Sequence, residues 1–348
     1  MLVYSGLVLI CFYFLMLVTT TKKIDFPLSF ILVFLLFLIS GFRYEVGTDY
    51  DTYVSFIKLI KEGRDTYMEP GFELMVKMLT SSGFETQSVF LISSLITLTF
   101  FFLFILRYSE NYTLSVVIFF LFPIFYLASF NGVRQFIAVS IFLYSLKFIL
   151  DKKVFAYITL ICIGALFHKT ILLMLPLYFI LGRRASYKST VLIIITYIFI
   201  ASLLPFIGRA LGFPDKYFTD ALVTEGKNYK ALAFPCFFIV YCCFEKQYKG
   251  GELIKNLTYN MLFIGSLISI TPLISTLPSA PVIRMSSYFT PIVIIFLSNF
   301  SLVLQRKESR ALYLIFILII SFTYFYSVVF VSGVKYNLNP YLFNFNIF

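Results

Sequence analysis

The chain has 348 residues, of which 60% are hydrophobic and 13% charged, with a net charge of +11. Mean hydropathy is +0.93, and apolar runs recur from end to end. This excludes a soluble catalytic domain. It also excludes a nucleic-acid binder, because the basic residues are scattered in short connections rather than gathered on one face.

Runs of about 17–20 apolar residues cross a hydrocarbon core of about 30 Å when helical. Backbone groups in lipid must be paired within the segment, and the strand alternation of a barrel is absent. The sequence therefore predicts an all-α polytopic membrane protein with about 12 helices, in a range of about 11–14, read as a single transmembrane domain over 1–348. The expected spans are 2–18, 26–42, 88–106, 113–130, 135–150, 154–167, 170–181, 190–207, 230–244, 257–275, 283–304 and 311–331. The first lacks the positive start and cleavage site of a signal peptide, so it is read as a retained helix. Cys11, Cys162, Cys236, Cys242 and Cys243 lie in or beside apolar runs without metal-ligand spacing and read as packing residues.

Orientation follows from the connections. Lys22–Lys23, Arg107, Lys152–Lys153, Arg183–Arg184 with Lys188, Lys246 to Lys255, and Arg306 to Arg310 each follow an odd-numbered span. Positive loops stay in the cytoplasm, so both termini fall outside. Segment 154–181 has positive charge on both flanks, which requires an even number of crossings. A hairpin turning at Phe167-His168-Lys169 satisfies this; its arms rise only about 18–21 Å. The turn then lies beneath the outer surface. Two long outer loops remain: 43–87, with amphipathic segments, and 208–229.

The outer face collects a selective set: Arg43, Asp49, Asp51, Glu69, Arg134, His168 and Arg284. Ionisable groups at a membrane interface are functional candidates, because burying them unpaired costs several kcal/mol. Arginines meeting on one face point to an anionic ligand, since guanidinium forks match phosphate oxygens. Arg43 and Arg284 also fit ordinary helix-end residues that snorkel to the interface. Arg134 runs against the charge rule and stands out. His168 is the one histidine; Lys169 beside it favours the neutral imidazole that a general base requires. Asp49-Tyr50-Asp51 is read as a sugar-binding pair rather than a metal motif.

The string Arg43-Tyr44-Glu45-Val46-Gly47-Thr48-Asp49-Tyr50, then Tyr53, then Glu69-Pro70-Gly71-Phe72, resembles the amino-terminal signature of the EpsG family of Wzy-type polysaccharide polymerases. Arg134-Gln135 before Ile137-Ala138, Phe167-His168, and Arg284 before Tyr288-Phe289 continue the match in order, over about residues 40–290. The resemblance implies a lipid-linked glycosyltransferase (GT-C-like) architecture in the bacterial inner membrane. It implies polymerisation of oligosaccharide repeat units carried on undecaprenyl pyrophosphate, at the outer (periplasmic) face, into O-antigen, capsule or exopolysaccharide. It also implies a chain-length regulator as partner, and no cofactor or metal. On this reading His168 and Asp49 are the candidate bases, and Arg134, Arg284 and Arg43 bind pyrophosphate. Glu69, Tyr50, Tyr53, Gln135 and Tyr288 bind saccharide. Rival readings are an O-antigen-ligase-like transferase, a membrane O-acyltransferase and a lipid-linked oligosaccharide flippase.

Overall fold

The computed structural model describes residues 2–184, 186–210, 232–248, 251–274 and 279–348. Among them, six helices are long and apolar enough to cross a membrane by length and composition. Five shorter apolar helical stretches join them: Tyr112–Leu121, Val154–Ala165, Lys169–Leu181, Thr190–Phe199 and Ala233–Phe244. The chain is an all-α multi-pass membrane protein. It divides into two compact units.

The first unit comprises Met1–Tyr144, Leu160–Ile171 and Leu304–Phe348. Its bundle is α1 (Leu2–Thr20), α2 (Asp25–Gly41), α5 (Thr86–Tyr108), α6 (Tyr112–Leu121) and α16 (Lys307–Tyr326). Aromatic side chains knit it together, as in Phe26 on Phe102 and Phe120 on Phe325. Hydrogen bonds mark its two ends. At one end the Asp25 carboxylate accepts from the Tyr112 and Thr113 amides at 2.8 and 2.7 Å, covering the exposed N–H groups that open α6. At the other, Gln87 Nε2 donates to the carbonyls of Gly41 and Arg43, tying the close of α2 to the opening of α5. Lys22 and Lys23 precede Asp25, and Arg107 closes α5, so the positive residues share the Asp25 end.

Within segment 43–87 the expected amphipathic elements are two helices, α3 (Tyr50–Lys61) and α4 (Pro70–Ser81). Tyr50, Tyr53, Ile57 and Ile60 form the helical stripe that α3 buries, and α4 contributes Phe72 and Val76. Both stripes close on Val89 and Phe90 of α5 and on Val133, which opens α8 (Val133–Leu150). Phe167 packs against the same cluster. The acids of Asp49-Tyr50-Asp51 face the other way: Asp49 and Asp51 are exposed.

The second unit comprises Ser145–Thr159 and Leu172–Val303. Its central helix is α13 (Glu252–Ile274), against which α12 (Ala233–Phe244) and α14 (Ser279–Phe289) pack. Asn260 of α13 donates to the carbonyls of Ile180, Leu181 and Arg183, satisfying the end of α10 (Tyr178–Leu181).

Two expected spans are broken, both at proline. Segment 113–130 is α6 followed by turns and the short α7 (Ala128–Asn131); the break comes at Phe122, which is extended before Pro123. Segment 283–304 is α14 and α15 (Ile292–Phe300), separated at Thr290-Pro291. A residue before proline is pushed out of the helical region by the ring, and proline supplies no amide to the ladder. The expected hairpin turns where the sequence places it: α9 (Val154–Ala165) ends before Phe167-His168, and a 3-10 helix follows over Lys169–Leu177. The returning arm folds back, with the Tyr157 hydroxyl donating to the Met174 carbonyl at 2.6 Å. The second outer loop, expected over 208–229, lies outside the described residues from position 211 onward.

Candidate active site

Glu69, Arg134 and His168 meet in the first unit. Each arrives from a different connection. Arg134 stands in the first turn of α8. His168 follows the end of α9, its amide bonded to the Gly164 carbonyl at 2.9 Å. Glu69 precedes α4, with extended backbone (φ −65°, ψ 145°).

The segment Glu69-Pro70-Gly71-Phe72 explains the meeting. Pro70 opens α4, where its missing amide costs nothing and its fixed φ suits the helix. Phe72 is fully buried and anchors the helix in the shared cluster. Gly71 donates its amide to the Leu166 carbonyl at 2.8 Å. A Cβ at this position would stand 2.6 Å from Leu166 Cβ and 2.8 Å from its oxygen, so only glycine permits the approach. That backbone contact brings Glu69 to the turn that carries His168.

The Glu69 carboxylate joins two partners. One oxygen accepts from the Arg134 guanidinium, and the other stands 3.1 Å from His168 Nδ1. A carboxylate only accepts, so Nδ1 carries the proton in this contact. The Glu69 side chain is 7% exposed and that of His168 8%. Burial alone would raise the Glu69 carboxyl; the hydrogen bond to His168 and the Arg134 charge outweigh it and hold the group below its usual range. Burial raises the Tyr53 phenol despite the nearby Arg134 cation.

The other sequence candidates are placed as follows. Arg43 is 2% exposed. It donates to the carbonyls of Ser40 (2.7 Å) and Phe130 (3.3 Å), and lies between the rings of Phe90 and Phe130 at 4.7 and 4.8 Å. Tyr50 is buried and stacks on Phe90 at 4.8 Å. Asp49 is exposed at the start of α3, and Gln135 is half-buried beside Arg134. Arg284, half-buried, and Tyr288, fully buried, belong to α14 of the second unit. Glu69, read from the sequence as a saccharide ligand, links the guanidinium and the imidazole. The carboxylate of Glu69 is a neighbour of His168 that its sequence surroundings do not reveal. Among the described residues, no group of three or more His, Cys, Asp or Glu gathers as a metal site.

One residue outside the sequence candidates holds the 45–47 turn from the far end of the chain. Gly47 (φ +100°) and Glu45 (φ 54°) both adopt left-handed backbone, and a Cβ at Gly47 would stand 2.7 Å from Asn131 Oδ1. Asn337 pins this turn: its carbonyl accepts from the Gly47 amide at 2.7 Å, and its side chain donates to the Glu45 carbonyl at 2.8 Å. No local signal could reveal this, because the partners stand 292 positions apart.

A family model described as the EpsG family matches residues 26–343. The chain belongs to the EpsG family. No curated protein and no solved structure matches it. Membership makes it a membrane protein of polysaccharide biosynthesis with a glycosyltransferase-like role. The matched range takes in the 43–50 string, Glu69, Arg134 and His168, and reaches past Asn337.

Proposed function

We propose that this EpsG-family protein is a polymerase of lipid-linked oligosaccharide repeat units, acting at the outer face of the bacterial inner membrane with undecaprenyl pyrophosphate as leaving group. The observation that carries the reading is the buried contact of Glu69 with both Arg134 and His168. These groups stand at the helix ends remote from Lys22, Lys23 and Arg107, which the charge rule assigns to the cytoplasm.

In this mechanism the growing chain is the donor, joined through its anomeric carbon to pyrophosphate. A hydroxyl of the incoming lipid-linked repeat attacks that carbon. The new carbon–oxygen bond forms as the carbon–oxygen bond to phosphate breaks, and the leaving group departs with the electron pair. His168 takes the hydroxyl proton at Nε2. Glu69 holds Nδ1–H and stabilises the imidazolium as it forms. Arg134 fixes Glu69 and directs positive charge at the leaving pyrophosphate, where a preorganised cation acts strongly. Asp49, at the exposed head of α3, orients the saccharide or substitutes as base, with Tyr50 and Tyr53 following it on α3; Gln135, next to Arg134 on α8, is a further saccharide contact. Arg284 and Tyr288 enter this reading from the sequence pattern alone. A chain-length regulator is the expected protein partner.

Polymer length on a gel tests the assignment. Arg134→Ala and His168→Ala, each at wild-type protein level, are expected to leave single repeat units in place of long chains. Long polymer from both variants contradicts it. Loss of all attached glycan, rather than of length, favours a ligase.

A further inference from the structure

Residues 336–348 carry no charged side chain, yet they include the aromatic residues Tyr336, Tyr341, Phe343, Phe345 and Phe348. The reaction proposed above makes no use of these rings. The segment is tied to the ends of two spanning helices. At the close of α2, the Tyr341 hydroxyl donates to the Ile39 carbonyl and the Asn344 amide to the Phe42 carbonyl. At the opening of α5, the Glu85 amide donates to the Ile347 carbonyl at 3.0 Å, and Phe348 packs on Phe84 at 4.8 Å. Both α2 and α5 are long and apolar enough to cross a membrane. The segment therefore runs along the level where two spans leave the hydrocarbon core.

Its rings turn away from the protein. Phe345 is 69% exposed, Phe348 73% and Phe343 39%. Phe343 and Phe345 stand two residues apart on extended chain and stack at 5.7 Å. Phe345 also packs on Phe42 at 5.0 Å. Phe42 continues a row on α2, Phe26, Phe30, Phe34 and Leu38, at every fourth position, a spacing that sets neighbours side by side. Phe26, Phe30 and Phe34 are exposed within the span, where the surrounding medium is lipid. Apolar exposure thus continues from α2 onto the segment. Asn344 and Asn346 alternate with the phenylalanines and supply polar groups between them. Aromatic rings backed by polar groups and tethered at a span end suit the boundary between acyl chains and headgroups.

We propose that residues 341–348 are an interfacial anchor, with the rings of Phe343, Phe345 and Phe348 seated among the lipids of the outer leaflet. Through the pairing of Leu342 and Phe343 with Tyr44 and Arg43, the anchor fixes the depth at which the chain leaves α2. The proposal stands independently of the polymerase reading, because it is tested without turnover.

The natural chain contains no tryptophan, so one introduced indole reports on its own surroundings. Phe345→Trp and Phe348→Trp are made separately in the full-length protein and placed in lipid nanodiscs. Both rings are more than half exposed, so the larger indole is accommodated. Phe30→Trp in the span and Lys58→Trp on the exposed side of α3 are the controls. Lipids brominated near the headgroup end of the acyl chain are expected to quench both anchor indoles about twofold or more. Aqueous iodide is expected to quench them far less than Lys58→Trp. Iodide quenching equal to that of Lys58→Trp puts the rings in water, where a glycan or a soluble partner domain would meet them, and overturns the proposal. Protection from both quenchers puts them in a protein contact, as between two copies of this chain, and overturns it equally.

Discussion

In the proposed mechanism Glu69 acts through its two partners. Replacing it by glutamine keeps the shape but removes the charge that fixes Nδ1–H and stabilises the imidazolium. Glu69→Gln is therefore expected to lower the elongation rate by about a hundredfold or more while the protein still folds. The folded-state carboxyl lies below its usual range. Its stabilising effect is then complete at pH values above the unfolded carboxylate pKa of about 4.3 and is lost as pH falls through the lower folded value. Thermal unfolding scanned from neutral to acid pH should show this loss in the wild type and less of it in Glu69→Gln. Gly71 is the second decisive position. Gly71→Ala forces a Cβ to within 2.8 Å of the Leu166 carbonyl oxygen. The expected outcome is destabilisation of about 1–3 kcal/mol with loss of long polymer, read by unfolding and by gel. The residues of this site were legible as types: an outward arginine, a lone histidine, a glutamate before Pro-Gly. Their pairing was not. Glu69 reaches 65 positions to Arg134 and 99 to His168; the Gly71–Leu166 approach and the cluster shared by Phe72, Val133 and Phe167 bring them together.

Elements were legible where apolar runs are unbroken. The expected spans 2–18 and 26–42 correspond to α1 and α2 within two residues, because nothing in those runs interrupts the helical ladder. The misread spans are those where one proline outweighs the surrounding hydropathy, at Pro123 and Pro291. The carboxyl-terminal segment gave the weakest signal and has a clear structural task. Arg43–Tyr44 pair antiparallel with Leu342–Phe343, and Asn337 holds the Glu45–Gly47 turn. Asn337→Ala is expected to speed amide hydrogen exchange over residues 43–49 by tenfold or more, while α5 and α6 keep their protection. Unchanged exchange in 43–49 contradicts the pinning role.

At the scale of the molecule, the basic residues of two short connections and the candidate site stand at opposite ends of the first unit's bundle. Lys22, Lys23 and Arg107 stand beside the Asp25 cap, whereas Arg43, Glu69, Arg134 and His168 stand toward the Gln87 contact. The positive-inside rule turns this separation into a sidedness: reporter fusions after residue 65 should report the outside, and fusions after residue 107 the cytoplasm. The opposite pattern places His168 where a cytoplasmic acyl donor reaches it and favours the O-acyltransferase reading. The central claim is that the Glu69–Arg134–His168 contact drives glycan elongation. The most direct measurement is elongation by the purified protein supplied only with lipid-linked repeat units. Wild type is expected to form a ladder of products, while His168→Ala and Glu69→Gln, folded to the same extent, form essentially none. Ladders of equal length from all three proteins contradict the account.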